Sequence, residues 1–187
     1  MTSRATSEHA AREAERILTT HHPTGTLPIP VEAIAHALGY RVLRNHHDGP
    51  QISFYLQDAN GRPHLGLNTA MSHGRQRFAA AHALGHGLLH PRDLVICSWL
   101  RLDEDGEHRR PAEATDAEES AATRFATELL MPRQVFIEHT GQLLAALPPR
   151  FTDTAQRDSI VQELAREFGV SWEAIRFRMM DLAIVGN

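Results

Sequence analysis

Apolar residues return at helical spacing in several stretches of the chain. Over residues 7–20, Ala14, Ile17 and Leu18 fall at i, i+3 and i+4, the pattern of an amphipathic helix. Residues 21–30 interrupt it with Pro23, Gly25, Pro28 and Pro30 and read as a loop. Val31, Ile34, Ala35 and Leu38 then restart the helical period, with Pro30 at its entry and Gly39 just past its end. Next the period shortens. Residues 40–45, 51–57 and 62–68 read as three strands, separated by Asp48-Gly49-Pro50 and by Asn60-Gly61, a hairpin signal. A small antiparallel sheet is expected. A helix is predicted over residues 75–90, with Ser72 as candidate cap and Pro91 as stop. The apolar run 94–100 follows. Residues 101–114 are polar and charged and read as an exposed loop. Thr115-Asp116-Ala117-Glu118 has capping-box spacing and opens a helix expected to reach Met131, before Pro132. Pro148-Pro149 marks a boundary. Beyond it, a helix over 155–168, the turn Gly169-Val170-Ser171 and a helix over 172–182 form a helix-turn-helix-like pattern. The expected architecture is α+β, with residues 1–148 as the main domain and 149–187 as a C-terminal helical segment.

Composition narrows the class. Hydrophobic residues make up 42%, enough for a core, yet no apolar run nears the roughly 18 residues of a membrane span. Residues 1–10 are polar and lack the apolar stretch of a signal peptide. Cys97 is the one cysteine, which excludes an internal disulfide and fits a reducing cytosol, so a cytoplasmic protein is expected. A net charge of −4 gives no global basic field to draw the chain onto nucleic acid. All 19 basic residues are arginine, which fits GC-rich coding and points to no function. Histidines number 13, so pairs at any given spacing arise by chance and need support from elsewhere.

One pair invites that support. His82 and His86 stand four apart in the predicted helix, so their rings project from one face and can grip a single Zn²⁺ at about 2.0–2.1 Å each. The helix opened by the capping box carries Glu118 and Glu119. A carboxylate from that helix, packed against the first, would complete a His₂Glu set and leave the fourth position open for water, as catalysis requires. Glu118 has the spacing of the capping-box residue. In zinc peptidases the motif is His-Glu-x-x-His, and the Glu is the base. Here it reads His82-Ala83-Leu84-Gly85-His86, so Ala83 holds the base position.

Four segments in order carry a resemblance: Leu65-Gly66-Leu67-Asn68; Arg75-Gln76-Arg77-Phe78; His82-x-x-Gly85-His86 with Leu88-Leu89-His90-Pro91; and Glu119-x-x-Ala122 leading to Phe125-Ala126 and Leu129-Leu130-Met131-Pro132. Together they resemble the ImmA/IrrE family of metallopeptidases over residues 30–135. The resemblance implies a zincin-like fold of the gluzincin type, zinc held by His82, His86 and Glu119, and endopeptidase activity on a protein. It further implies a narrow target, a helix-turn-helix transcriptional repressor, whose cleavage induces stress, DNA-damage, mobile-element or defence genes. In some relatives a DNA-damage signal such as single-stranded DNA is the trigger. Two departures matter. Thr123 stands where the family usually has Asn or Asp to support a ligand histidine. Ala83 cannot take a proton from water, and losing general acid–base help costs about 10²–10⁴ in rate. An inactive chain is therefore expected. The intact remainder of the site favours an alanine substituted for a native glutamate over a natural pseudoenzyme.

Other residues have a role and a bland alternative. Cys97 reads as a small buried hydrophobe, or as a ligand on a loop folded back over the metal, filling the fourth position and holding the enzyme latent. His90 extends the row His82, His86, His90 and reads as a helix-end residue or one that supports a ligand from behind. Leu65, Gly66, Leu67 and Asn68 read as an edge strand beside the cleft that pairs with extended substrate. Arg75 and Arg77 are expected to anchor the sheet-to-helix junction. In the C-terminal helices Arg166, Arg176 and Arg178 are balanced by Glu163, Glu167, Glu173 and Asp181, a poor set for phosphate contacts. Packing or partner recognition is expected there rather than DNA reading. The rival functions are a zinc-binding module that sequesters a repressor without cutting it, and a DNA-binding regulator.

Overall fold

The computed structural model describes residues 3–46, 48, 51–91, 93–98, 115–145 and 154–184. The loop expected at 101–114, the turn residues Gly49 and Pro50, and the Pro148-Pro149 boundary between the two expected segments lie outside the described residues. The elements in chain order are α1 (Ser3–His21), α2 (Val31–Ala37), β1 (Arg41–Asn45), β2 (Gln51–Gln57), β3 (Pro63–Asn68), α3 (His73–Leu89), β4 (Leu94–Ser98), α4 (Asp116–Leu130), α5 (Arg133–Ala145), α6 (Thr154–Phe168) and α7 (Trp172–Asp181). The fold is α+β, as the periodicity predicts. No helix among the described residues is long and apolar enough to cross a membrane.

The sheet is mixed, not antiparallel as expected. Its order is β1-β3-β2-β4. The β2–β3 hairpin is antiparallel, closed by a turn in which Asp58 Oδ1 accepts from the backbone N–H groups of Asn60 and Arg62 and Gly61 adopts φ 73°. β1 then pairs with the far side of β3 and not with β2, its neighbour in sequence. Three consecutive strands alternate in direction, so placing the first beside the third makes that pair parallel. β4, where the sequence suggested a loop, adds antiparallel to the other side of β2.

One face of the sheet carries Tyr55, Leu65, Leu67, Val95 and Cys97, all buried. α3 packs on this face, and α4 covers α3 from the other side. A helix between two layers is buried all round, which is why residues 79–86 are mostly Ala and Gly and show no amphipathic stripe. Gly85 permits the closest approach: a Cβ there would stand 3.0 Å from Phe125 Cδ1 and 3.2 Å from Ala122 Cα. α1 lays Ala10, Ala14 and Ile17 against α4.

Helix ends follow local chemistry. Thr115 and Glu118 form the full capping box: Thr115 Oγ1 accepts from Glu118 N–H, and Glu118 Oε2 accepts from Thr115 N–H at 2.8 Å. Ser72 sits at the N-cap of α3 but makes no side-chain cap bond, so only its position was foreseen.

Arg77 reaches away from the sheet-to-helix junction, and Arg75 pairs with a residue of α7. Arg77 is buried and donates from Nε to Gly169 O at 2.8 Å and from Nη2 to Ile29 O at 2.6 Å, and Arg75 pairs with Glu173 at 3.2 Å. Arg77 thus ties α3 to the α6–α7 turn and to the segment before α2. Arg178 on α7 is fully buried. It forms a fork onto Glu128 of α4 at 2.9 and 2.6 Å, and also donates to Asp181 Oδ2 at 2.8 Å and Met131 O at 2.9 Å. Arg176 pairs with Asp158 and lies over the Trp172 ring, and Arg166 pairs with Glu163. Arg166, Arg176 and Arg178 are thus each engaged within the chain.

Candidate metal centre

His82 and His86 lie one turn apart on the α4-facing side of α3, with ring centroids 4.7 Å apart and edge to face. Their Nε2 atoms are 3.1 Å apart. Because Thr115 and Glu118 fix the start of α4, Glu119 is turned toward this pair. Its Oε2 stands 3.2 Å from His82 Nε2 and its Oε1 3.3 Å from His86 Nε2. Atoms bound tetrahedrally at about 2.0–2.1 Å to one ion stand about 3.3 Å from one another. The three donors therefore already have the spacing of three corners of a zinc site. Their chemistry fits as well, with two imidazole nitrogens and a carboxylate.

The carboxylate and the imidazoles stabilise one another's charged forms. Burial opposes ionisation of Glu119, but hydrogen bonds and charge from His82 and His86 prevail and hold its carboxyl far below the usual range. Burial likewise disfavours a charged His86, yet the Cys97 thiol and the Glu119 carboxylate outweigh it and raise its pKa. His82 Nδ1 faces Thr123 Oγ1 at 3.4 Å. A proton on Nδ1 leaves the Nε2 lone pair free for a metal. The threonine thus occupies the supporting place where the resemblance put Asn or Asp.

Cys97 is on a strand, not on a folded-back loop. β4 carries it inward, and its Sγ joins ligand atoms of His82 and His86 in a group all within 4.8 Å of one another. It is buried, like both histidines. Ser53 pairs with it across the β2–β4 ladder and is buried too, and its hydroxyl makes no hydrogen bond. Sequence alone gave no sign of Ser53, because strand register brings it there.

Ala83 is wholly buried beside His82. His90 caps the C-terminal end of α3, with its ring 6.0 Å from that of His86 and its Nε2 buried without a partner. Burial, and next to it the neighbouring His86, push its pKa down. It borders the centre without joining the ligand cluster. Leu65, Gly66, Leu67 and Asn68 do not form an edge. β3 is flanked by β1 and β2, so its backbone is committed on both sides and cannot take a substrate strand. Gly66 also lies under Phe54, where a Cβ would come within 1.9 Å of the ring.

The comparison with known families agrees with this geometry. Residues 35–180 match the profile of the M78 peptidases, described as the IrrE N-terminal-like domain. The chain belongs to this family. M78 proteins are metallopeptidases, and His82 and His86 on α3 with Cys97 on β4 form a possible metal-binding cluster in this chain. Among solved structures, a Mycobacterium tuberculosis transcriptional regulator is similar at 19% identity and a TM-score of 0.55. The match covers 96% of this chain and 52% of that one, so this M78 chain spans about half of that regulator's length. No curated protein matches the sequence.

Proposed function

We propose that this chain is a zinc-binding regulator built on the M78 peptidase site, with a helix-turn-helix transcriptional repressor as its target. The observation that carries the metal half is the triangle of His82, His86 and Glu119 donors, with edges of 3.1, 3.2 and 3.3 Å. When bound, zinc supplies a Lewis acid that polarises a carbonyl oxygen and acidifies water. The histidines and Glu119 hold that ion, and Thr123 fixes the tautomer of His82. At position 83 a methyl group stands where a carboxylate would accept the proton. Hydrolysis by this chain is therefore slower by about 10²–10⁴ than with a glutamate there.

Two observations favour the reading in which the chain binds its target without cutting it. Ala83 is buried with no polar atom to offer, and the Cys97 sulfur sits within 4.8 Å of the ligand atoms of both histidines. The DNA-reading alternative gains nothing from Arg166, Arg176 and Arg178, which are held by Glu163, Asp158, Glu128 and Asp181. The single cysteine, seated against two imidazoles, suits a reducing compartment, and we read the protein as cytoplasmic.

The test has two parts. Zinc content of the purified chain is compared with His82→Ala and Glu119→Ala, and stoichiometric metal in the parent with loss in both variants is expected. Ala83→Glu and Ala83→Glu/Cys97→Ser are then incubated with zinc and candidate repressors. Fragments formed by either variant support a peptidase ancestry of the site, and an intact repressor retained in a stable complex supports sequestration. Absence of zinc from the parent chain sinks the proposal.

A further inference from the structure

We propose that Cys97 is the fourth ligand of the metal, making a closed His₂GluCys centre, and that Ser53 holds its sulfur. The inference rests on the reading that His82, His86 and Glu119 bind zinc, and adds to it the site's missing corner.

Three donors supply three corners of a tetrahedron. Whether the fourth is water or protein separates a hydrolytic site from a structural one, because structural zinc sites are closed by protein ligands and catalytic ones keep a position open. In this chain the sheet side of the two histidines is filled by Cys97. Its sulfur lies within 4.8 Å of the ligand atoms of both imidazoles. Thiolate is among the preferred donors for zinc. As the sulfur–metal bond forms, the S–H bond breaks and its proton leaves to solvent.

Ser53 is the independent observation. It is 4% exposed, and its Oγ has no hydrogen-bond partner. An unpaired buried hydroxyl costs about 1–3 kcal/mol, so such groups call for an explanation. The ladder pairs Ser53 with Cys97, directly across from each other on the face packed against α3. Paired residues of adjacent strands have Cβ atoms about 4.5–5.5 Å apart, within reach of a side-chain contact. A protonated thiol offers this hydroxyl little. A metal-bound thiolate is a strong acceptor, and donation from Ser53 both satisfies the orphan and orients the sulfur. The register runs regularly from Leu56–Leu94 to Ser53–Cys97 and becomes irregular only beyond Ser53, toward Gln51, so this pairing belongs to the regular part of the ladder.

The closed centre also accounts for Ala83. With sulfur in the fourth place, a carboxylate at position 83 would have no coordinated water to deprotonate. It would lie buried against apolar neighbours at the cost of its own desolvation. Alanine at 83 and cysteine at 97 thus belong together as two features of one non-hydrolytic site.

Zinc-edge X-ray absorption on the full chain reads the ligand set without reference to activity. The expected spectrum has one sulfur at about 2.3 Å beside nitrogen and oxygen at about 2.0–2.1 Å. Cys97→Ser should keep the metal and lose the sulfur. Cobalt substitution should give a sulfur-to-metal charge-transfer band that Cys97→Ser removes. Ser53→Ala should retain the sulfur signal and weaken zinc affinity about 10-fold or more, measured by competition with a chelator. Bound zinc with nitrogen and oxygen ligands alone in the unmodified chain overturns the closed centre but leaves the three-ligand reading standing. A chain that binds no zinc overturns both. If Cys97→Ser fails to fold, the spectrum of the unmodified chain still decides. Unchanged affinity in Ser53→Ala removes Ser53 from the proposal.

Discussion

Replacing Glu128 by alanine tests whether the C-terminal helices belong to the same cooperative unit as the metal-bearing helix. Glu128 receives both arms of the Arg178 guanidinium, at 2.9 and 2.6 Å, and Arg178 is fully buried. Removing one partner of a buried pair costs about 3–5 kcal/mol, because the remaining charge stays desolvated and unpaired. Here Asp181 at 2.8 Å and Met131 O at 2.9 Å keep hold of Arg178, which places the expected cost near the lower figure. For a chain of this size, about 3 kcal/mol corresponds to a fall in melting temperature of roughly 6–12 °C. The control is Asp158→Ala. It removes the exposed partner of Arg176, whose side chains are 45% and 51% accessible, and should cost no more than about 1 kcal/mol. Thermal unfolding followed by circular dichroism, at fixed zinc concentration because bound metal adds its own stabilisation, measures both. A Glu128→Ala chain that melts within a degree or two of Asp158→Ala would refute the argument. The α7 helix would then contribute little to the stability of the fold that presents Glu119.

Four further outcomes follow from the geometry. Gly85→Leu drives a side chain into Phe125 and Ala122, should cost about 1–3 kcal/mol in urea unfolding, and should weaken zinc binding by pushing α4 and Glu119 outward. Thr123→Val removes the group facing His82 Nδ1 and should lower zinc affinity about 10–100-fold while leaving the fold intact by circular dichroism. Asp58 is held down to about 2, first by the His64 ring and then by backbone N–H groups of Arg62 and Asn60, so its contribution to stability is present above the unfolded carboxylate value and is lost as pH falls toward 2. His64→Leu should move its NMR titration midpoint upward. Finally, Ala83→Glu alone should stay inactive against a repressor that the chain binds, whereas Ala83→Glu/Cys97→Ser should exceed Cys97→Ser by about 10²–10⁴ in cleavage rate on gels.

What could be read from sequence was what local chemistry decides. The Thr115–Glu118 capping box fixed the start of α4, and with it the side from which Glu119 reaches the histidines. Asn60-Gly61 located the β2–β3 turn, and Gly39 and Gly169 marked their turns with φ of 88° and 63°. Residues distant in the chain stayed hidden. The β1–β3 pairing depends on which side of β3 the first strand joins, and no local signal encodes that. The mistaken edge assignment for Leu65–Asn68 followed from it. β4 was legible as an apolar run but not as a strand, because its partner β2 lies far upstream. α5 was missed since its apolar residues follow no clear helical stripe and Gly141 interrupts them. Cys97 was suspected for its chemistry alone, and its strand, partner and neighbour Ser53 became visible only with the ladder.

The same distinction bears on how the site should be understood. Two helices brought together by small residues at their contact would present His82, His86 and Glu119 whatever stood at positions 83 and 97. The ligand triangle is thus a property of the α3–α4 packing, and Gly85 and Ala122 are its most sensitive points. What that triangle does with a metal is decided by groups that packing does not require. A glutamate at 83 and an open fourth corner make a hydrolase. An alanine at 83 and a sulfur at the corner make a clamp. Conversion between them changes two side chains and leaves every backbone hydrogen bond in place. A fold of this kind can therefore keep its metal and its target while losing its chemistry, and zinc retention in the Ala83→Glu/Cys97→Ser chain is the measurement that tells whether the two properties separate.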